Sequence, residues 1–539
     1  MESNIFFPPG ARAAVRAVIA CLDRSSENAN DSLSALLEFL EERTREARAA
    51  TAPPSVAALV EEVAYYAVNW MLPLLFNTAL VAAHDAPRGR ALVLFPSDLV
   101  TIWLKIVTEQ RTHGTYDSLW KYLSRATSSH GTHFDLDAGA DIAEDVLSTL
   151  DSIEFEAEVS VVVTVGKLGA ALGLPPGEDL VKGFRRAFPV SPAIDVDDVV
   201  FVSHRKILGI LASLITVHGA RPLTEFVRWW VLLVVGFLSD STFIREHADV
   251  REVSEVMTLV CTTETEATHG LALNTAHKER LDEDQLGSLR KALDNVKSTL
   301  VLSIDHLSYM SDRAKETMSD QLKDVRAELL GDVNAMRQDN GSVTLFGDLP
   351  DVEWPFLRYW VSARTRIRSL DSGVRYRLPY LQRRTVPATL VRYEPFSRRV
   401  VVSAAALAAP YYYAQGTKAM FYGGIGFLYA KALLQAIDYP PAVLKQCGPS
   451  GRLLRDEFPD MAAMEAAHAA LQRDNDHYRL PKMETLDTDH VFFMTLCFGS
   501  CRASGKSRFS HSCNRAVMRS RMFAHVLRCQ SQANLCHYF

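Results

Sequence analysis

The side chains best spaced for chemistry lie near the end of the chain. Cys497, Cys501, His511 and Cys513 make a C-x-x-x-C pair followed by a histidine and a further cysteine. Thiolate and imidazole are the ligands that hold zinc tetrahedrally. The intervals are irregular for such a site, so disulfide bonding competes for the same cysteines. Asp195, Asp197 and Asp198 stand together in VSPAIDVDDVV, where carboxylates could meet calcium, but the twelve-residue ligand pattern is missing. His204, His218, His247 and His269 are scattered and read as surface or capping residues. No G-x-x-x-x-G-K-[ST] loop is present, and the GGIG at 423–426 lacks the strand of a dinucleotide fingerprint.

These side chains need a scaffold, and composition says what kind. At 539 residues the chain exceeds one ordinary core and suggests two to four domains or one large composite unit. Apolar residues at 48% and charged residues at 23% indicate a globular chain rather than a disordered one. A net charge of -6 gives no general attraction to nucleic acid or an anionic membrane. The tail from Arg502 to Phe539 carries seven Lys or Arg and no Asp or Glu. It lacks a helical stripe or interleaved aromatics, so it reads as a solvated basic face.

Periodicity predicts helix through most of the first 330 residues. After Asp284, the residues Leu286, Leu289, Leu293, Val296, Leu300, Ile304 and Leu307 recur at spacings of three and four, which makes one stripe. Ser311 is placed to cap a second helix with Ala314, Met318, Leu322, Val325 and Leu329 on its face, ending at Gly331. Residues 56–80 and 204–238 read as further helices. Strand-like stretches are fewer: 155–166, 198–203, and two between 388 and 405. WWVLLVVGFL at 229–238 is ten residues, where a bilayer span needs roughly twenty, so it is expected as a buried helix. The first residues show no secretory-signal pattern. No internal repeat or low-complexity segment appears.

Several blocks in order resemble one family. They are DDVVFVSHRKILGILASLI, RWWVLL, VCTTETEATHGLAL and the helix pair ending at SYMSDRAKETMSDQL. VVVSAAALAAPYYYAQGTKAMFYGGIG, LDTDHVFFMTLCFGSC and MFAHVLRCQSQANLC follow. The chain resembles the neprilysin and endothelin-converting enzyme family of zinc metalloendopeptidases from about residue 15 onward, with YGGIG the most specific block. The family's opening anchor or signal and two early cysteines have no counterpart in these residues. The resemblance implies a mainly α (α+β) fold. A helical domain would cover 1–350, a connector 351–384, and a thermolysin-like, peptidase-type domain with a small sheet 385–539, with the domains enclosing a chamber.

Carried over residue by residue, the family's zinc motif is absent. In H-E-x-x-H, two imidazoles one helical turn apart bind the metal while the glutamate deprotonates its water. Counted from YGGIG, the two ligand positions are Lys431 and Gln435 and the general-base position is Ala432. An ammonium repels a dication, Ala offers no donor, and a neutral amide oxygen is a poor zinc ligand beside imidazole. The third ligand position falls on Asp456, and the aspartate that orients the first histidine falls on Asp460. The family's substrate-gripping Asn-Ala pair falls near Leu390 and Val391. Its transition-state histidine falls near Lys506, and its backbone-holding arginine near Ser512, with His511 and Arg515 close by.

By the same resemblance Cys21 pairs with Cys261 and Cys447 with Cys536, each bond closing a long loop worth about 4–5 kcal/mol at most in the chain-entropy model. Cys501 and Cys529 lack their family partners, and bond to each other, to Cys497 or Cys513, or stay free. Sequons at Asn30 and Asn340 fit a secreted surface. The expectation is a catalytically inactive peptidase homologue with no cofactor where the family has zinc. Its ligand would be a peptide or protein, without nucleic acid or a membrane span, outside the cell or at its surface. The alternatives are an active zinc endopeptidase with unconventional ligands and a partial product of a family gene.

Overall fold

The computed structural model describes residues 9–22, 34–39, 41–42, 55–83, 86–97, 99–118, 120–121, 125, 136–152, 161–173, 180–239, 250–278, 281–308, 310–330, 356–370, 372–377, 390–437, 459–474, 479–480, 483–499, 512–518 and 520–528. In chain order, the elements that matter below begin with helices α1 (Pro9–Leu22) and α2 (Val56–Tyr65). Strands β1 (Asn77–Ala82), β2 (Arg90–Phe95), β3 (Val161–Thr164) and β4 (Val199–Val202) follow. Next come helices α3 (Arg205–His218), α4 (Ala220–Ser239), α5 (Val250–Lys278), α6 (Glu283–Asp305) and α7 (Asp312–Asp324), then strand β5 (Arg326–Leu329) and helix α8 (Phe356–Arg368). The chain ends with β6 (Val391–Glu394), β7 (Arg399–Val402), α9 (Phe427–Leu434), α10 (Asp460–Arg473), α11 (Thr488–Gly499) and α12 (Ser512–Val517). Helices dominate and the sheets are small, which is the mainly helical class expected.

Residues 1–276 and 333–388 form one compact unit, and 277–332 with 389–539 form a second. This division does not coincide with a boundary near 350, because α6 and α7 pack within the second unit.

In the first unit, α4 is the central helix. It has twenty residues and is apolar enough by composition to cross a bilayer, but 89% of its most apolar window is buried inside the protein. That length corrects the ten-residue reading, while the burial agrees with it. Trp229 and Trp230 on α4 are fully enclosed. Each removes about 150–250 Å² from water, a gross gain of about 4–6 kcal/mol. Beside them Arg228 of α4 lies between Glu225 at 2.7 Å and Glu62 at 3.2 Å.

The stretches 56–80 and 204–238 are each interrupted. After α2 a π-turn covers Tyr66–Trp70, Met71 takes a left-handed backbone, and β1 begins at Asn77. Nearly every side chain here is buried, so apolar spacing alone does not separate helix from strand. Pro73 adds a break, having no N–H for a helical bond. The later stretch breaks at Gly219, whose φ of 80° suits glycine and separates α3 from α4. The four-stranded sheet runs β1-β2-β4-β3, antiparallel except for the parallel β2/β4 pair. The segment expected at 198–203 is β4, and the part of 155–166 within the described residues contributes β3.

In the second unit, Asp282 caps α6 reciprocally. Its carboxylate accepts from Gln285 N at 2.6 Å and its own N–H donates to Gln285 Oε1 at 3.3 Å. The stripe Leu286, Leu289, Leu293, Val296, Leu300 and Ile304 is buried as the spacing requires. Ser311 caps α7, but this helix stops at Asp324 instead of reaching Gly331. Val325 turns extended, and Arg326–Leu329 pair in parallel with Arg399–Val402. Ladder hydrogen bonds from a strand about 70 residues away outweigh the local helical pattern. The resulting sheet runs β5-β7-β6, with β6 antiparallel to β7.

Candidate functional site

Helix α9 carries the positions on which the question of activity turns. It packs on β6, β7, α6 and α10, and YGGIG leads into it as a π-turn over Tyr422–Gly426. The adjacent glycines are needed for packing. A Cβ on Gly423 would overlap the Phe492 carbonyl oxygen of α11, and one on Gly424 would overlap the Tyr411 carbonyl oxygen. That same Tyr411 oxygen accepts from Ile425 N at 3.0 Å. Tyr422 anchors the turn: its hydroxyl accepts from Asn295 Nδ2 at 2.7 Å and donates to Asp474 Oδ2 at 3.1 Å. Burial pushes this phenol up to about 12, so it stays protonated at neutral pH. The most recognisable block of the chain is thus explained by backbone close approach and needs no catalytic role.

One turn further, Lys431 points at α10. Its Nζ lies 2.5 Å from Asp460 Oδ1, and Arg515 Nε of α12 lies 2.8 Å from Asp460 Oδ2. The Asp460 carboxylate is 3% exposed, while Lys431 and Arg515 are 29% and 38% exposed. A buried carboxylate therefore has one cation on each oxygen. Ala432 is buried and contributes only a methyl group. Gln435 lies just past the end of α9, exposed, with its backbone N–H donating to Ala432 O at 3.2 Å. The position of Asp456 falls outside the described residues, as do Lys506 and His511. Leu390 and Val391 lie at the entry to edge strand β6, and Ser512 opens α12.

These side chains do not fit zinc. Lys431 is an ammonium already paired with a carboxylate, Gln435 faces solvent at a helix end, and Ala432 has no acceptor, so the three make no donor set for a dication. Among the described residues no group of three or more His, Cys, Asp or Glu is arranged to hold a metal ion.

Other candidates resolve structurally. Cys21 and Cys261 are joined, with Cα atoms 5.6 Å apart and 240 residues between them in sequence. Cys497 and Cys513 form a second disulfide, so two of the four ligands of the irregular C-x-x-x-C metal site are engaged. Cys447, Cys501, Cys529 and Cys536 lie outside the described residues. Asp198 meets Arg90 at 2.9 Å and Asp195 meets Arg88 at 2.8 Å, so arginines take the place of a calcium ion. His204 caps α3, accepting from Lys206 N. His218 pairs with Asp145 at 2.8 Å. His269 is neither surface nor cap: it is buried on α5 with its ring stacked on Tyr359 and Nε2 2.9 Å from the Tyr359 hydroxyl. His247 falls outside the described residues. Arg515 is the residue that sequence reasoning placed least well, since 55 residues separate it from Asp460 and no local spacing links them.

In three dimensions the chain shares its fold with zinc metalloproteases. PepO from Lactobacillus rhamnosis HN001 matches with a TM-score of 0.58 at 12% identity, over 97% of this chain and 89% of that one. The Haemonchus galactose-containing glycoprotein complex matches at 0.51 and 12%, over 97% and 90%. A partially open state of Mycobacterium tuberculosis zinc metalloprotease 1 matches at 0.50 and 13%, over 99% and 90%. At these identities the likeness is one of fold. No family model matches the chain, and no curated protein matches it in sequence.

Proposed function

We propose that this chain is a catalytically inactive homologue of the neprilysin-type zinc metallopeptidases that acts by binding peptides or a protein partner. The observation that carries this reading is the Lys431–Asp460–Arg515 cluster. At the position where the resemblance calls for an imidazole aimed at a dication, an ammonium contacts the carboxylate that would have oriented it. Introducing zinc there would place a dication beside two side-chain cations, and Coulomb repulsion opposes that. Without the metal, both the Lewis acid and the activated water are gone. With Ala432 at the base position, a further factor of about 10²–10⁴ is lost, and the two losses leave no alternative route to hydrolysis.

Disulfides persist in oxidising compartments, so the Cys21–Cys261 and Cys497–Cys513 bonds support a location outside the cell or at its surface. The decisive experiment pairs metal analysis of the purified protein with a mixed peptide library incubated with and without a chelator. The expected result is substoichiometric zinc and no chelator-sensitive cleavage. Stoichiometric zinc together with cleavage that a chelator abolishes would overturn the reading.

A further inference from the structure

The first unit contains a cavity of about 420 Å³, a size that suits a small organic ligand. Its inner wall is aromatic: Tyr116 and Trp120 are 7% and 8% exposed, and their rings lie 6.3 and 6.2 Å from that of the enclosed Trp229. Its rim carries three exposed carboxylates, Asp117, Asp137 and Asp141. Two glycines bring these groups together. Gly114, at a φ of 72°, turns the chain after the helix Val100–Thr112, so that Tyr116 and Asp117 follow on the cavity side. Gly139 lets the helix Leu136–Asp141 approach α4 so closely that a Cβ there would overlap the Glu225 carbonyl. The two sides are then joined by hydrogen bonds. Trp120 Nε1 donates to Asp137 Oδ1 at 2.5 Å, and the Tyr116 hydroxyl donates to Ala140 O at 3.3 Å.

Arg111 also lines the cavity but is already engaged, with Glu144 at 2.6 Å and with its guanidinium carbon 4.9 Å from the Tyr116 ring centre. Among the described residues, none of the three rim aspartates meets a Lys or Arg. Asp137 and Asp141 stand one helical turn apart, where like charges repel and a cation would relieve them. The carboxylates are spread around the opening and do not converge, since among the described residues no three His, Cys, Asp or Glu are arranged to hold a metal ion. Separated carboxylates beside an aromatic wall suit separated ammonium groups on a methylene chain. Each ammonium is a compact charge, and the stem between packs against the rings. We infer that this cavity binds an aliphatic chain carrying more than one ammonium, supplied by a free polyamine or by the lysine side chains of a peptide. Asp117, Asp137 and Asp141 neutralise its charges, while Tyr116 and Trp120 receive its methylenes. The site lies wholly within the first unit and stands whether or not the chain cleaves peptides.

The test is titration calorimetry on full-length protein at low salt with spermidine, acetyl-Lys-Ala-Lys amide, acetyl-trialanine amide and magnesium chloride. The alanine peptide is the blank, and only binding in excess of it counts. The expected result is saturable binding of spermidine, of the lysine peptide, or of both, with an affinity that falls as salt rises. Spermidine binding alone assigns the site to a free polyamine, and peptide binding alone assigns it to lysine side chains. Asp117→Asn combined with Asp141→Asn leaves Asp137 on Trp120 and should weaken binding about tenfold. Should that variant fail to fold, Asp117→Asn alone is read in its place, with a loss of about threefold expected. Binding of neither ammonium probe, or an affinity unchanged in these variants, would overturn the inference. Displacement of the bound probe by magnesium at an equal concentration would overturn it in favour of an unspecific acidic surface.

Discussion

Each compact unit contains an arginine bound to an enclosed carboxylate, and the two pairs differ in what surrounds them. In the first unit Arg364 is fully buried and meets Glu264 Oε2 at 2.9 Å and Ala267 O at 3.1 Å, with the Trp360 indole N–H donating to the same carboxylate oxygen. The guanidinium carbon also lies 5.3 Å from the Trp360 ring centre. In the second unit Asp460 is equally enclosed, but its two cations reach solvent. A charge taken wholly out of water must be matched locally, or the fold loses several kcal/mol. A charge left partly in water is screened, and its pairing matters less to the fold. The first arrangement is closed to water, whereas the second is open to it on the cationic side.

The comparison breaks most clearly through stability. Arg364→Met leaves Glu264 buried without its cation and is expected to cost about 3–5 kcal/mol, read as a lower denaturation midpoint; a neutral outcome would remove the distinction between the two clusters. Acid sharpens it next. Burial, with repulsion from Arg364, depresses His269 to about 4 from an ordinary value of 6.5. Below pH 6.5 the unfolded chain binds a proton that the folded chain refuses, so stability falls as pH drops from 6.5 toward 4 and levels off below that. The full effect is about 3 kcal/mol, and His269→Gln should flatten the stability profile across this window. Arg515→Gln has the smallest effect, about 1 kcal/mol or less, because the guanidinium is partly exposed and Lys431 remains on Asp460. A loss as large as that of Arg364→Met would show that the second cluster is structural as well.

Much of the scaffold was legible from local pattern. The α6 stripe, the Ser311 cap and the strands at 199–202, 391–394 and 399–402 follow from spacing and capping chemistry over a dozen residues or fewer. The misreadings fell where local signals were degenerate. Residues 56–82 are so uniformly buried that helical and extended patterns fit equally well, and Arg326–Leu329 became a strand because a partner strand was available. In the candidate site, Lys431, Ala432 and Gln435 could be located by counting from YGGIG. That Arg515 shares Asp460 with Lys431 could not, and neither could the burial of His269.

By itself the sequence determined which chemical groups are present. Residues 431, 432 and 435 carry an ammonium, a methyl and an amide, and no folding changes those identities. Only the tertiary structure decided what the groups do there. Hydrogen bonds and ion pairs depend on distances of about 3 Å, and residues 431, 460 and 515 come within such distances only once α9, α10 and α12 pack. Packing also sets how much water each charge retains, which separates the locked pair at Arg364 from the open one at Asp460.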